Sequence, residues 1–385
     1  MYKFLNLIPK FLKAKWIFQK PKKCQILGFN NLAFERTNSN LFKKYLVNIG
    51  FEIIHTNFEK INFFILFKCL INFKINAQEY YKHYINESNP KIVLSLIDNS
   101  KKFWMIRKNI RAKTIFIQPG IRCHFFADDF YRKNFTKRKK ERKYTVDFMF
   151  VINDFYAKKY SSFINGKAIS IGSFKNNFEK KTTKRRLREI CFISCFRVLK
   201  EDQIYASNIT WGFYNKNLRF FLKWLSEYST KNNLKINIIG KNFGDQGIKE
   251  KDFYNKNFNG IKFNYYPAHN KRETYKLLDR FEYVFTIDST LGLENLARGG
   301  RTGFIGNTPN TYPLSTRKFG WNESLPKNGK FWTTENNHKE FQRIFDFVTK
   351  GKKKEWIKEF SEIKKIIKFD EKNKTFFNII NKILD

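Results

Sequence analysis

Short apolar runs rich in Ile, Val, Phe and Tyr recur along the chain, each closed by Gly, Pro, Asn or Asp and followed by apolar residues at helical spacing. In the first half the strand pattern falls at 24–29, 51–55, 91–97, 114–117, 146–152 and 168–171, and the helical pattern at 39–49, 61–74, 78–86, 103–109 and 154–163. In the second half strands are expected at 189–196, 234–239, 261–265, 283–287 and 301–305. Helices fall near 216–228, 272–279, 293–297, 339–349, 355–367 and 374–384. Strands alternating with helices predict α/β folding on mostly parallel sheets with helices on both faces. A polar, highly charged stretch at 175–188 interrupts the rhythm and marks a domain boundary. The expected order is a basic amphipathic segment at 1–21, a first domain at 22–174, a second at 189–370 and a C-terminal helix at 371–385.

The densest chemistry follows the strand at 283–287, where Asp288, Ser289 and Thr290 lead through Gly292 and Glu294 into a helix that Gly299 and Gly300 end. Open parallel sheets bind ligands where carboxyl ends of strands feed helix N-termini, and backbone N–H groups and hydroxyls there suit an anion such as a nucleotide diphosphate. Glu294, about one turn further on, is placed to meet the two hydroxyls of a ribose. A purely local alternative has Ser289 or Thr290 capping the helix and Glu294 pairing with Arg298 at i,i+4. Two other strand ends of this half add cations: Arg197 after 189–196, and Gly240-Lys241-Asn242 after 234–239, with Lys241 the candidate phosphate contact. In the first half, Asp98-Asn99-Ser100 and Gln118-Pro119-Gly120-Ile121-Arg122 follow strands. They read either as one side of a substrate cleft, with Asp98 a candidate general base and Arg122 an anion contact, or as a helix cap and a Pro-Gly turn.

The 288–294 turn resembles the donor-nucleotide site of glycosyltransferases built from two Rossmann-like domains facing across a cleft, the GT-B architecture, and in particular surface-carbohydrate and O-antigen biosynthesis proteins. It is also similar to the Asp-Ser-Gly-Gly-x-x-Glu turn of UDP-N-acetylglucosamine 2-epimerases, with Asp288, Ser289 and Glu294 in matching places and Thr290 and Leu291 in place of two glycines. The Asp-Asn-Ser turn at 98–100 and the Gln118–Arg122 turn resemble the first domain of the same surface-carbohydrate family, with Pro119 where that family has Asn. The resemblance implies a GT-B-like fold, a nucleotide sugar as substrate with no separate cofactor, and a glycan or lipid-linked glycan acceptor bound near Asp98, Asn99, Ser100, Gln118, Gly120 and Arg122. A sugar-nucleotide epimerase of similar fold is the enzymatic alternative.

Charge adds a rival of another class. Seventy-five Lys and Arg against 34 Asp and Glu give a net charge of +41, enough to raise nucleic acid as a partner. The excess is Lys-dominated, spread from end to end and accompanied by abundant Asn, Ile and Phe, and no zinc-finger spacing or RNA-recognition aromatic motif is present, so a basic nucleic-acid-binding protein stands only as the lesser alternative. A sugar nucleotide and an anionic membrane surface account for the same charge. Five cysteines form no disulfide framework, and Cys191 and Cys195 lack further ligands nearby, so no metal is expected. Apolar and basic residues mix in the first twenty positions, where Lys10, Lys13 and Lys15 break any signal-peptide core. A helix from Lys10 after Pro9 would put Leu12, Trp16 and Ile17 on one side. That arrangement suits either an interfacial anchor on a cytoplasmic membrane face or a first helix packed on the domain. No run reaches the ~20 apolar residues of a membrane span.

Overall fold

The computed structural model describes residues 12–31, 34, 49–57, 59–98, 100–121, 144–182, 187–206, 209–258, 260–268, 271–287, 289–306, 326, 328–363 and 366–385. They cluster into two compact units. One takes the described residues within Met1–Pro119, Phe130–Phe174 and Asn373–Asp385; the other takes those within Gly120–Asp129 and Lys175–Lys372.

The first unit runs β1 (Lys15–Ile17), β2 (Ile26–Phe29), β3 (Phe51–Ile54), β4 (Lys60–Asn62), α1 (Phe63–Ile71), α2 (Ala77–Ser88), β5 (Ile92–Ser95), α3 (Lys101–Ile106), β6 (Lys113–Ile117), β7 (Thr145–Val151), α4 (Asp154–Ser161) and β8 (Asn165–Ser170). Six of its strands form a parallel sheet in the order β3-β2-β5-β6-β7-β8. Every residue of β2 and β5 is buried, as expected of parallel strands covered on both faces, where a continuous apolar run replaces alternation. Aromatic side chains knit the layers: Phe29, Phe103, Trp104, Phe116 and Tyr160 follow one another at ring-centroid distances of 5.6, 5.2, 5.1 and 5.5 Å. The chain's many asparagines have a local use, since Asn62, Asn76 and Asn153 each accept a backbone N–H as helix N-caps of α1, α2 and α4.

Of the helix expected from Lys10, the described residues keep only Leu12 and Lys13 in helical conformation. Lys15–Ile17 is instead strand β1, pairing in parallel with β4 through Trp16↔Ile61, so Trp16 and Ile17 point to opposite faces. Residues 1–11 and most of the expected helix at 39–49 lie outside the described residues. The described part of the 175–188 stretch is not all exposed. It opens within a short helix, α5 (Phe174–Phe178), and Asn176 and Asn177 are buried.

The second unit runs β9 (Leu187–Ile193), the small hairpin β10 (Ile204–Ala206) and β11 (Ile209–Thr210), α6 (Trp211–Lys231), β12 (Ile236–Ile239), α7 (Gly244–Phe258), β13 (Phe263–Tyr266), α8 (Lys271–Leu278), β14 (Phe281–Thr286), α9 (Thr290–Ala297), β15 (Arg301–Ile305), β16 (Trp332–Thr333), α10 (His338–Lys350) and α11 (Lys353–Ile363). Its parallel sheet has the order β13-β12-β9-β14-β15-β16. The last helix, α12 (Lys374–Leu384), belongs to the first unit, where Phe376 packs on Phe150 at 5.0 Å and on Phe174 at 4.9 Å. Among the described residues no helix is long and apolar enough to cross a membrane.

Candidate functional site

In the second unit β9 lies between β12 and β14, and all three run in parallel, with Ile239 paired to Ile193 and Phe285 to Phe192. Their carboxyl ends therefore leave the sheet along one edge. The Gly240–Asn242 loop, the segment carrying Arg197 and the start of α9 follow these three neighbouring strands. Asp288 lies outside the described residues. Ser289 caps α9, its hydroxyl accepting the Leu291 N–H at 3.3 Å while its own N–H donates to Thr286 Oγ1 at 3.4 Å. The Thr290 hydroxyl accepts the N–H of Ile121 at 3.0 Å, and Gly120 sits against the same side chain. Gly292 serves packing: a Cβ there would stand 2.6 Å from Thr286 Cγ2 and 2.9 Å from the Phe304 ring, so glycine brings α9 down onto β14 and β15.

Glu294 is 5% exposed, and Tyr275 of α8 donates its hydroxyl to Glu294 Oε2 at 2.9 Å. The local alternative of a Glu294–Arg298 pair does not hold. Arg298 turns the other way, donating from Nε to Asp279 Oδ1 at 2.8 Å and from Nη2 to Asp279 Oδ2, with both side chains buried. Its remaining donors reach Asn176 Oδ1 at 3.2 Å, the Glu179 carbonyl at 2.9 Å and the Lys180 carbonyl at 2.8 Å. A guanidinium's five donors fit such a fork of acceptors, so Arg298 ties the start of the 175–188 stretch to the C-terminal end of α9. Tyr275, not Arg298, is thus the described side chain that orients the Glu294 carboxylate.

The Lys241 backbone N–H donates to Glu250 at 3.0 Å, and the Asn242 N–H and Nδ2 donate to the same carboxylate at 2.8 Å. Ser194 also donates to Glu250 and sits 2.6 Å from the Tyr254 hydroxyl. Burial, then the Glu250 charge, pushes the Tyr254 phenol well up. Glu250 thus fixes the strand-end loops, and what Lys241 offers at the edge is its exposed side chain. The side chain of Arg197 is exposed as well.

In the first unit, Asp98 follows β5 and is buried, with Tyr160 donating to Oδ2 at 3.1 Å and Trp104 Nε1 donating to its carbonyl at 2.9 Å. Ser100 caps α3 through the Phe103 N–H at 3.4 Å. Gln118 is buried, and its Oε1 accepts the Ile152 N–H at 3.0 Å, joining the ends of β6 and β7. Asn99 and Arg122 lie outside the described residues. Among the described residues no group of three or more His, Cys, Asp or Glu could hold a metal. Tyr275, Asp279 and Glu250 were missed by the sequence reading. Tyr275 sat in a predicted helix, but which strand-end carboxylate it would meet depends on how α8 and α9 flank β14.

A family model described as "putative O-antigen biosynthesis protein" matches residues 115–384, well over half of the 385-residue chain. The chain belongs to this O-antigen biosynthesis family. The matched span of this O-antigen protein takes in the whole second-unit edge and the terminal helix, and starts after Asp98. Solved structures agree on the fold. The wall teichoic acid polymerase TagF superposes with a TM-score of 0.51 at 12% identity, covering 94% of this chain and 90% of that one. The UDP co-structure of MnaA from S. aureus gives 0.53 at 10% identity, covering 94% and 97%. A glycosylation associate protein complex from Streptococcus agalactiae matches more loosely, at 0.44 and 13% identity, with this chain covering 57% of that one. No curated protein matches the sequence. At such identities the likeness establishes a glycosyltransferase-like, two-Rossmann-domain fold.

Proposed function

We propose that this O-antigen biosynthesis protein is a glycosyltransferase that moves a sugar or related group from a nucleotide-activated donor to a surface polysaccharide or lipopolysaccharide precursor. The observation that carries the proposal is the strand-turn-helix at β14 and α9. A capped helix N-terminus, a glycine that seats the helix on the sheet and a buried carboxylate one turn in stand beside two cationic strand ends. In the reading offered, Ser289, Thr290 and the α9 N-terminus receive the diphosphate with Lys241 and Arg197, Asp288 is assigned to the same donor site from its place in the sequence, and Glu294 takes the ribose hydroxyls. Developing charge on the leaving diphosphate is what such donors stabilise. Asp98 is the proposed base for the acceptor hydroxyl, on the side where Asn99, Ser100, Gly120 and Arg122 also lie in sequence. The UDP named for MnaA supports a nucleoside diphosphate as the first ligand to try.

Calorimetric titration of UDP and other nucleoside diphosphates against wild type and Glu294→Gln tests the donor site. Gln keeps size and still accepts from Tyr275, so the fold should hold. Weakening two charge-assisted bonds should lower nucleotide affinity by roughly 1.5–3 kcal/mol. Equal affinities would remove the donor assignment. Conversion of a nucleotide sugar in the absence of any acceptor would replace transfer by epimerisation.

A further inference from the structure

Around α1 the first unit carries an apolar face that its own core does not cover. Phe63, Phe67, Leu70 and Ile71 are exposed at spacings i, i+4, i+7 and i+8, while Ile65 and Cys69 point inward. The chain leaving α1 continues the face with Phe73, 94% exposed, and Ile75. From β1 alongside, Trp16 and Phe18 reach Phe63 at ring-centroid distances of 6.4 and 5.4 Å, and Phe63 stacks on Phe67 at 6.4 Å. Phe18 is itself 71% exposed. The ring contacts join Trp16, Phe18, Phe63 and Phe67, and helical spacing puts Leu70 and Ile71 on the same face, the kind of surface that marks a protein or membrane contact.

Its charge decides between the two. Across 12–20 and 59–76 the sequence carries Lys13, Lys15, Lys20, Lys60, Lys68 and Lys74 against the single acid Glu59. Lys68 pairs with Glu87, and Lys20 sits 5.0 Å over the Phe64 ring, at the border of the apolar face. Aromatic rings bordered by lysines match the interfacial zone of an anionic bilayer, where rings lie at headgroup depth and each ammonium near the surface adds attraction. A nine-residue helix is about 13 Å long, far short of the ~30 Å hydrocarbon core, so it lies in the membrane plane. We infer that the α1–β1 face docks this protein on an anionic lipid surface. The inference is independent of the nucleotide reading.

Flotation of the full chain with liposomes tests it. Association is expected with vesicles containing roughly 30% phosphatidylglycerol and should be weak with pure phosphatidylcholine. Phe67→Ser with Ile71→Ser should lower partitioning at least ~10-fold. Lys60→Glu with Lys74→Glu, which leaves the apolar face intact, should do the same on anionic vesicles alone. Circular dichroism and the thermal midpoint confirm the fold of each variant. Unchanged partitioning in the lysine pair would overturn the inference. So would a dimer, seen by light scattering and abolished by the Phe67/Ile71 pair, in a protein that ignores vesicles, since the face would then be covered by a second copy.

Discussion

Glu294 shows how much one buried carboxylate depends on its neighbours. The Tyr275 hydroxyl donates to Oε2 while Arg298 is committed to Asp279, so a tyrosine on the neighbouring helix orients the side chain. Tyr275→Phe removes that donor while preserving the ring. The expected loss of stability is about 1–2 kcal/mol, since a buried carboxylate loses one partner, and nucleoside diphosphate affinity should fall several-fold through misplacement of the carboxylate. Chemical denaturation and calorimetry measure the two effects separately. A stability loss with unchanged affinity would make Tyr275 purely structural. Arg298 should be costlier: Arg298→Met takes from buried Asp279 its guanidinium partner, and breaking a buried pair costs about 3–5 kcal/mol, whatever ligand is present. Of this cluster, the sequence made Ser289, Gly292 and Glu294 legible because strand, turn and helix residues stand next to one another in the chain. Arg298 was misread because its i+4 spacing from Glu294 suggested a partner that the fold refuses. Asp279 and the carbonyls at 179 and 180 are brought to it only by tertiary packing.

Element by element, periodicity located the parallel strands well, since buried runs such as those of β2, β5 and β12 are unbroken along the chain. It passed over α7. The buried stripe of that helix is Gly247, Glu250, Tyr254 and Phe258, two of them not apolar, so helical spacing was present without a hydrophobic signal. The short β1–β4 ribbon escaped for a different reason: three-residue strands have no period to read. Polar residues also pin sheet elements together. Asp147 on β7 accepts the Thr114 N–H of β6 at 2.8 Å and pairs with Arg107 at 2.5 Å and Lys113 at 3.3 Å. Burial alone would raise its carboxyl, but the Thr114, Arg107 and Lys113 contacts outweigh that and hold it below the ordinary 3.8. A depressed folded-state value means that Asp147 stabilises the fold above the ordinary carboxylate range. That contribution is lost as pH falls through the lowered value. Asp147→Asn should therefore cost about 1–3 kcal/mol at pH near 7, and the gap between wild type and variant should narrow progressively below ~4. Urea unfolding at several pH values checks this, and a gap independent of pH would refute the assignment.

On the scale of the whole molecule, the chain's last helix is assigned by packing, not by its place in the sequence. Residues 175–372 build the second unit, yet α12 returns to the first, and no local pattern could have announced it: 374–384 reads as an amphipathic helix with any partner. What fixes it is a small set of contacts. Phe376 is buried between Phe150 of β7 and Phe174, Asn373 Nδ2 donates to the Phe174 carbonyl at 2.8 Å, and the Lys91 ammonium meets the Leu384 carbonyl. Removing a buried phenylalanine costs about 3–5 kcal/mol, so Phe376→Ala should destabilise the first unit by that amount, and truncation after residue 372 should cost more. The second unit has its own sheet and core, built on Phe285 stacked against Phe345 at 3.8 Å and on Phe221 against Phe341 at 5.5 Å. It should keep its stability in both variants. Hydrogen exchange read by mass spectrometry separates the outcomes: protection in 145–151 and 165–174 should fall while protection in 236–239 and 281–286 persists. Loss spread evenly over both sets of strands would mean that the two units unfold as one, and that α12 supports the entire chain rather than the half it packs upon.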